Sequence, residues 1–285
     1  MKVMKQQMIK ARGSIVFCIL VSVFSGLYAQ DKPPPIISDR PTASASSYTV
    51  PFEALMLESG GQYSYGEAGA VEALTKTKAF TTPLLLRYGL LENLELRVAT
   101  DGVSWQNERT LAFDSLNDKS TTGFANPSLG LKWQINNPEE DSYQPSVGFL
   151  FDWSLPVGSE AFSPEKSEIE LTGLLNFPLP KNFGLTLNGA VGWPYDSDTE
   201  SCYTQGFGAV ALSNGLTDRT GVFVEVYIDS PTSDGGHEQI FMDAGATYLV
   251  APGYQIDFAV FKGLGRVSSD WAVAGGLTFY ILDGT

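Results

Sequence analysis

Residues 84–98 read LLLRYGLLENLELRV and contain two short alternating segments on either side of a turn. The alternate residues form two apolar rows, namely Leu84, Leu86 and Tyr88, then Leu94, Leu96 and Val98. Successive side chains of a β-strand point to opposite sides, so each segment has one apolar and one polar face. With residues 89–93 as the turn, we expect Arg87 opposite Glu95 on the polar face, where an ion pair would help to fix the register.

Two folds are compatible with this pattern. A soluble sandwich would bury the apolar rows, whereas a membrane barrel would turn them toward lipid and enclose the charges. The rest of the chain favours the barrel, because we find twelve alternating segments of roughly the ~9–11 residues that a tilted membrane strand needs, and an even number of them. These segments are 53–65, 77–88, 93–103, 123–135, 145–157, 167–179, 182–193, 202–213, 219–229, 239–250, 254–263 and 270–282.

The connections between the segments alternate in length. Short turns are expected at 89–93, 178–181, 214–218 and 251–253, with a somewhat longer one at 136–144, and longer, more polar loops at 66–76, 104–122, 158–166, 194–201, 230–238 and 264–269. Short periplasmic turns and long outer loops are typical of outer-membrane barrels. One misfit is Pro83, which cannot donate a ladder hydrogen bond and predicts a bulge or bend in the second strand. We therefore predict an all-β fold, a 12-stranded antiparallel up-and-down transmembrane barrel with an extended N-terminal segment.

The N-terminus has the features of an export signal. Four basic residues precede an apolar run over 15–24, and small residues follow it up to Ala29. We predict a signal peptide at 1–29, an extended periplasmic segment rich in Pro and Ser at 30–52, and the barrel at 53–285, located in the outer membrane of a Gram-negative bacterium. The whole chain has a formal charge of -14. Loss of the leader makes the remainder more acidic still, which excludes nucleic acid as a partner.

No catalytic residue, metal or cofactor is predicted, and we do not expect an enzyme. The single histidine, His237, lies in a DGGHE loop without a nucleophile motif, and Cys202 would remain alone after leader removal. The loop acids Asp196, Asp198 and Glu200 could hold Ca²⁺ only loosely, and a solvated loop is the favoured interpretation.

Four stretches carry a resemblance to a bacterial family: DRPTASASSYTVP at 39–51, LMLESG at 55–60, LRYGLLENLELRV at 86–98 and FVEVY at 223–227. The chain resembles the outer-membrane β-barrel transporter family named for the MetA pathway of phenol degradation, over residues 39–281. The resemblance implies a barrel with a periplasmic N-terminal segment and uptake of small, hydrophobic or aromatic compounds. It departs from the usual barrel pattern at 282–285, where residues extend beyond the last aromatic strand.

The polar faces of the strands predict the lining of the lumen. Seven acidic and three basic residues share the interior parity: Glu58, Arg87, Glu95, Arg97, Lys132, Asp152, Glu170, Glu225, Asp243 and Asp257. Buried charges must be paired, so these residues could form a network that braces the barrel wall. They could equally set the selectivity of a cation-tolerant passage. Both interpretations can hold together.

The N-terminal segment has two candidate roles. It could enter the periplasmic mouth as a plug, with Asp39 or Arg40 meeting lumen charges, or it could be a disordered tether. We predict a passive channel or transporter for small molecules, with a non-transporting structural or surface-interaction barrel as the alternative. The expected partners are outer-membrane lipid and lipopolysaccharide, a small-molecule solute and the barrel assembly machinery.

Overall fold

The computed structural model describes residues 34–284, except 71–72, 113–114, 140–141, 232 and 266–267. The predicted leader, 1–29, and the first four residues of the predicted N-terminal segment, 30–33, lie outside the described residues. Within them, the only helical element is a single 3₁₀ turn, Glu160–Phe162. No helix in the described part of the chain is long and apolar enough to cross a membrane.

The described residues form seventeen strands. In chain order they are β1 Ala54–Ala70, β2 Ala73–Thr81, β3 Leu84–Leu91, β4 Leu94–Thr100, β5 Val103–Ala112, β6 Ser115–Phe124, β7 Pro127–Gln134, β8 Ser146–Ser154, β9 Glu168–Leu179, β10 Phe183–Gly192, β11 Tyr195–Asp196, β12 Ser201–Cys202, β13 Gln205–Gly215, β14 Thr220–Ser230, β15 Gln239–Ala251, β16 Tyr254–Gly263 and β17 Trp271–Asp283.

These strands close into one barrel. Each wall strand pairs antiparallel with its neighbour along the chain, and β1 pairs with β17 to complete the circle. Three long strands are each divided in two by a short interruption. The halves are β2 and β3, interrupted at 82–83, β4 and β5, interrupted at 101–102, and β6 and β7, interrupted at 125–126. Counting each pair once gives twelve antiparallel strands, with β11 and β12 forming a separate ribbon in a loop. The predicted twelve-stranded barrel is therefore confirmed, and the interruption at Pro83 falls where a bend was expected.

Two of the predicted loops are wrong. Residues 66–76 and 104–122 belong largely to β1, β2, β5 and β6, which form a four-stranded sheet that continues the wall of the first four barrel strands. Hydrophobic alternation could not reveal these strands, because a sheet that stands clear of lipid needs no apolar face. Their Thr residues favour strand pairing without such a pattern.

The β3–β4 hairpin differs from the expected register by two residues. Arg87 lies opposite Arg97, and Glu95 lies opposite Gly89. The turn has only two residues, and the register shifts between Gly89 and Leu91 to accommodate the extra residue as a bulge. Arg87 and Glu95 still form the ion pair, at 2.7 Å, because the arginine side chain reaches diagonally across the two strands.

The two faces of the wall have opposite polarity. The outward side chains of Leu96, Trp133 and Phe258 are 40%, 51% and 55% exposed, whereas Arg87 and Lys132 on the inner face are 0% exposed. A soluble protein would show the reverse arrangement. The apolar exterior and enclosed charges are those of a barrel whose solvent is lipid.

A bulge at residues 101–102 reverses the side-chain parity of the third barrel strand. Leu96 and Val98 point outward in β4, while Val103 and Trp105 occupy the outward positions in β5. Gly102 permits the bulge, because its φ is +63° and a Cβ there would lie 2.2 Å from the carbonyl oxygen of Thr82. The bulge keeps an apolar row on the outside up to the level of Trp105.

Candidate lumen and its N-terminal segment

The N-terminal segment, residues 34–52, runs through the interior of the barrel without regular secondary structure. Such a chain has no helix or sheet ladder to accept its backbone N–H groups, and buried N–H groups need acceptors. Side chains of the barrel wall supply them. Ala43 N and Ser44 N donate to Glu225 at 2.7 and 3.0 Å, and Val50 N donates to Glu95 at 2.8 Å.

Neutral amides of the wall hold the middle of the segment. Ala45 N donates to Asn188 Oδ1 at 2.7 Å, and the Asn188 amide donates back to the Ala45 carbonyl at 3.1 Å. Ser47 N donates to Asn176 Oδ1 at 2.6 Å. Because these acceptors lie on β9 and β10 while Glu95 lies on β4, the segment spans the lumen between distant parts of the wall.

Asp39 inserts its carboxylate among three buried cations. It accepts from Arg97 at 2.6 Å and from Lys132 at 2.9 Å, and it lies 3.7 Å from Arg87. Arg87 in turn binds Glu95 and Glu58. These residues form what we call the latch cluster: Asp39, Glu58, Arg87, Glu95, Arg97 and Lys132.

The latch cluster is balanced only when the segment is in place. Its five wall residues carry three positive and two negative charges, and Asp39 supplies the third negative charge. Arg87, Glu95 and Lys132 are 0% exposed, so an unpaired charge among them would be costly. The charge balance therefore couples the segment to the wall.

Burial alone would raise the pKa of the Asp39 carboxyl, but the charges of Arg87, Lys132 and Arg97 outweigh burial and hold that pKa well below its usual range. A carboxyl with a depressed pKa stabilises the folded state above its ordinary pKa of about 4 and loses that contribution only as the pH falls further. The Asp39 carboxylate therefore stays ionised throughout the neutral and mildly acidic range.

Arg40 makes a second ionic contact on another part of the wall. Its Nη2 and Nε atoms donate to the Asp257 carboxylate at 3.1 and 3.3 Å. Gly60 and Gly276, which face each other on β1 and β17, leave space for the guanidinium, because a Cβ on either would lie 2.6 or 2.5 Å from Arg40 Nη2. The wall is thus shaped around this side chain.

The other predicted lumen residues lie outside the latch cluster. Asp152 and Glu170 face each other on β8 and β9 and are partly buried. Glu225 and Asp243 face each other on β14 and β15, and both are 2% exposed. Neither carboxylate oxygen of Asp243 receives a hydrogen bond from the described residues. A role of these acids in selectivity stays a prediction.

Cavities lie toward both ends of the barrel, and Arg40 of the segment lines two of them. One, of about 300 Å³, is bounded by Pro83, Asp101 and Asn126 near the strand interruptions. The other, of about 360 Å³, is bounded by Asn214 and residues around the β13–β14 turn. The segment therefore lies between an outer and an inner part of the lumen.

Residues 38–281 match the model of the family described as "Putative MetA-pathway of phenol degradation". The chain belongs to this family. No curated protein matches the sequence significantly. Membership agrees with the resemblance that the DRP and LRYGL stretches carry.

Solved structures similar to this family member are outer-membrane barrels. An outer membrane channel from Pseudomonas putida F1 aligns with a TM-score of 0.64 at 12% identity, over 84% of this chain and 100% of its own. The transport unit of the autotransporter AIDA-I from Escherichia coli gives 0.53 at 13% identity, over 92% and 96% of the two chains. The translocator domain of NalP from Neisseria meningitidis gives 0.50 at 13%, over 96% and 97%. At these identities the likeness establishes the fold.

Two features of the lumen were not predicted from the sequence. One is the pair of amides, Asn176 and Asn188, that hold the segment. The other is an aromatic lining. Phe223, Tyr227 and Phe241 point into the lumen on β14 and β15, where Tyr227 and Phe241 stack at 5.1 Å. Phe261 on β16 is buried in the same cluster. The sequence does carry a signal for this lining, because Phe223 and Tyr227 share the parity of Glu225 on β14.

The buried ion pair between Arg87 and Glu95 leads to a first prediction. Arg87→Met and Glu95→Gln should each destabilise the barrel by about 3–5 kcal/mol, because each leaves buried charges unpaired. The double variant removes one charge of each sign, so we expect it to be less destabilised than either single variant. Denaturant unfolding followed by heat-modified gel migration measures the free energies of this double-mutant cycle.

The exposed pair Lys76 and Glu67 is the control, for which small and additive changes are expected. Additive losses at Arg87 and Glu95 would contradict the coupling.

Proposed function

We propose that this protein is an outer-membrane channel of a Gram-negative bacterium for passive passage of small molecules, closed by its own N-terminal segment. The observation that carries the proposal is the way the interior is filled. A twelve-stranded barrel is wider than its inward side chains alone can fill. Here the remaining space is occupied by residues 34–52, which the wall holds through reversible hydrogen bonds and ion pairs. Such a filling can be withdrawn, unlike a packed core.

The proposed topology follows from the predicted domains. Residues 1–29 would be removed as an export signal, 30–52 would enter the lumen from the periplasm, and 53–285 would be inserted by the barrel assembly machinery. N-terminal sequencing of the protein isolated from outer membranes tests the first step, with a start near residue 30 expected. A protein that begins at Met1 in the membrane would contradict it.

The lining of the lumen supports small aromatic compounds as the solute class. The aromatic wall formed by Phe223, Tyr227, Phe241 and Phe261 surrounds the acidic pair on β14 and β15. Aromatic faces attract cations and stack on aromatic rings, and carboxylates favour positive charge. An aromatic amine combines both features, so it is a suitable probe of this lining.

The test is block of single-channel current by tyramine, compared with ethanolamine, in a channel lacking residues 34–47. We expect tyramine to block at roughly tenfold lower concentration, because one aromatic contact contributes about 1 kcal/mol or more. Phe241→Ala should reduce this difference. Phe258→Ala, which changes a lipid-facing ring, is the matched control and should leave it unchanged. Equal block by both amines would contradict the aromatic preference, and a barrel that never conducts would favour the non-transporting alternative.

A further inference from the structure

An aromatic row crosses the outward face of the first barrel strands. Tyr63 lies opposite Phe80, and Phe80 lies opposite Trp105, on the face that points away from the lumen. Trp271 on β17 continues the row, with its ring 5.7 Å from that of Tyr63. Amphipathic rings at the end of a lipid-facing surface mark the level of the lipid headgroups.

Basic side chains follow directly beyond this row on the same face. Along β2 in the direction away from the barrel, Lys78 lies two residues from Phe80 and opposite Asn107. Lys76 lies two residues further in the same direction, opposite Arg109. At about 3.3 Å per residue, these positions stand about 7 and 13 Å beyond the aromatic row. Together with neighbouring side chains they surround a hollow of about 430 Å³, lined by Tyr65, Lys76, Lys78, Asn107, Arg109 and Asp118.

The acids near this hollow already have partners. Lys76 binds Glu67 at 2.8 Å, and Asp118, which lies opposite Arg109 on β6, accepts from the Asn107 amide at 2.8 Å. Among the described residues, no carboxylate lies within ion-pairing distance of Lys78 or Arg109. These two cations are therefore available to an external anion. They are conspicuous in a chain that has 18 basic and 32 acidic residues.

We propose that this face binds the phosphate groups of lipid A, the anchor of lipopolysaccharide. The inference rests on the proposed outer-membrane location. A lipid bound by its acyl chains along the apolar wall presents its phosphates beyond the aromatic row, on the side where Lys78 and Arg109 lie. Arg and Lys are the side chains that bind phosphate oxygens most strongly.

The experiment measures binding of purified lipid A to the full chain in detergent by native mass spectrometry. The double variant Lys78→Gln, Arg109→Gln should bind roughly tenfold more weakly, because two charge-assisted contacts are lost. Lys119→Gln is the matched control. Lys119 is an exposed cation on the same small sheet, but it lies opposite Glu108 on the other face, so its removal should leave binding unchanged.

Three results would overturn this proposal. They are equal binding by the double variant and the native chain, equal binding of lipid A stripped of its phosphates, and equal binding of phosphatidylglycerol, which would indicate a general affinity for anionic lipid. Heat-modified gel migration verifies that every variant is a folded barrel. The readout does not depend on conductance, so failure of this proposal is distinguishable from failure of the channel function.

Discussion

Replacing Asp39 with Ala is expected to release the N-terminal segment and to increase the time that the channel spends open. In the native chain this carboxylate joins Arg97 at 2.6 Å and Lys132 at 2.9 Å. Its loss leaves the buried latch cluster with three positive and two negative charges. Removing one partner of a buried ionic network typically costs about 3–5 kcal/mol. If that cost falls on the closed state, the ratio of open to closed channels rises by roughly 100-fold or more.

Single-channel recording in planar bilayers measures this ratio. Asp39→Asn should behave like Asp39→Ala, because the amide keeps the shape of the side chain but lacks the charge that the three cations need. Asp218→Ala is the control, since it removes an exposed carboxylate from the β13–β14 turn without touching the segment. An Asp39→Ala channel that stays closed as often as the native one would show that the latch cluster does not hold the segment.

Twelve strands and their sidedness follow from the sequence because both depend on local alternation. In β4, for example, Leu96 and Val98 face outward and Glu95 and Arg97 face inward, as the pattern predicts. Lipid requires an uninterrupted apolar exterior, so each membrane strand carries its own readable signal.

The four-stranded sheet formed by β1, β2, β5 and β6 and the register of the β3–β4 hairpin could not be predicted from alternation. Strands β2 and β5, which contain Lys76 and Arg109, carry polar side chains on both faces because water surrounds that part of the sheet. Their sequences therefore show no alternation of apolar and polar residues that would predict a strand. The register depends on a bulge near Gly89, and a one-residue insertion of this kind has no hydrophobic signature.

The candidate site was accessible from the sequence only in part. Asp39 and Arg40 could be proposed as lumen residues, and the structure places both inside the barrel against wall charges. Their individual partners could not be predicted, because an irregular segment has no period that fixes which wall side chain it passes. The contacts of Asn176 and Asn188 with the segment backbone depend on that path.

Polar side chains that line the barrel thus bind the backbone of the N-terminal segment. Glu225, Asn188 and Asn176 accept backbone N–H groups of the segment, and in its absence water would occupy those positions. If the segment withdraws as proposed, this exchange lets the wall stay folded and leaves the lumen hydrated and acidic.

The most direct test of the account is the single-channel conductance of a chain that lacks residues 34–47 but keeps the export leader. Val50 is retained because it packs against Ala54, Met56 and Tyr280 at the start of the barrel. With heat-modified migration confirming a folded barrel, we predict steady openings of a conductance at least several-fold above that of the full chain. A conductance equal to that of the full chain would contradict closure of the lumen by the N-terminal segment.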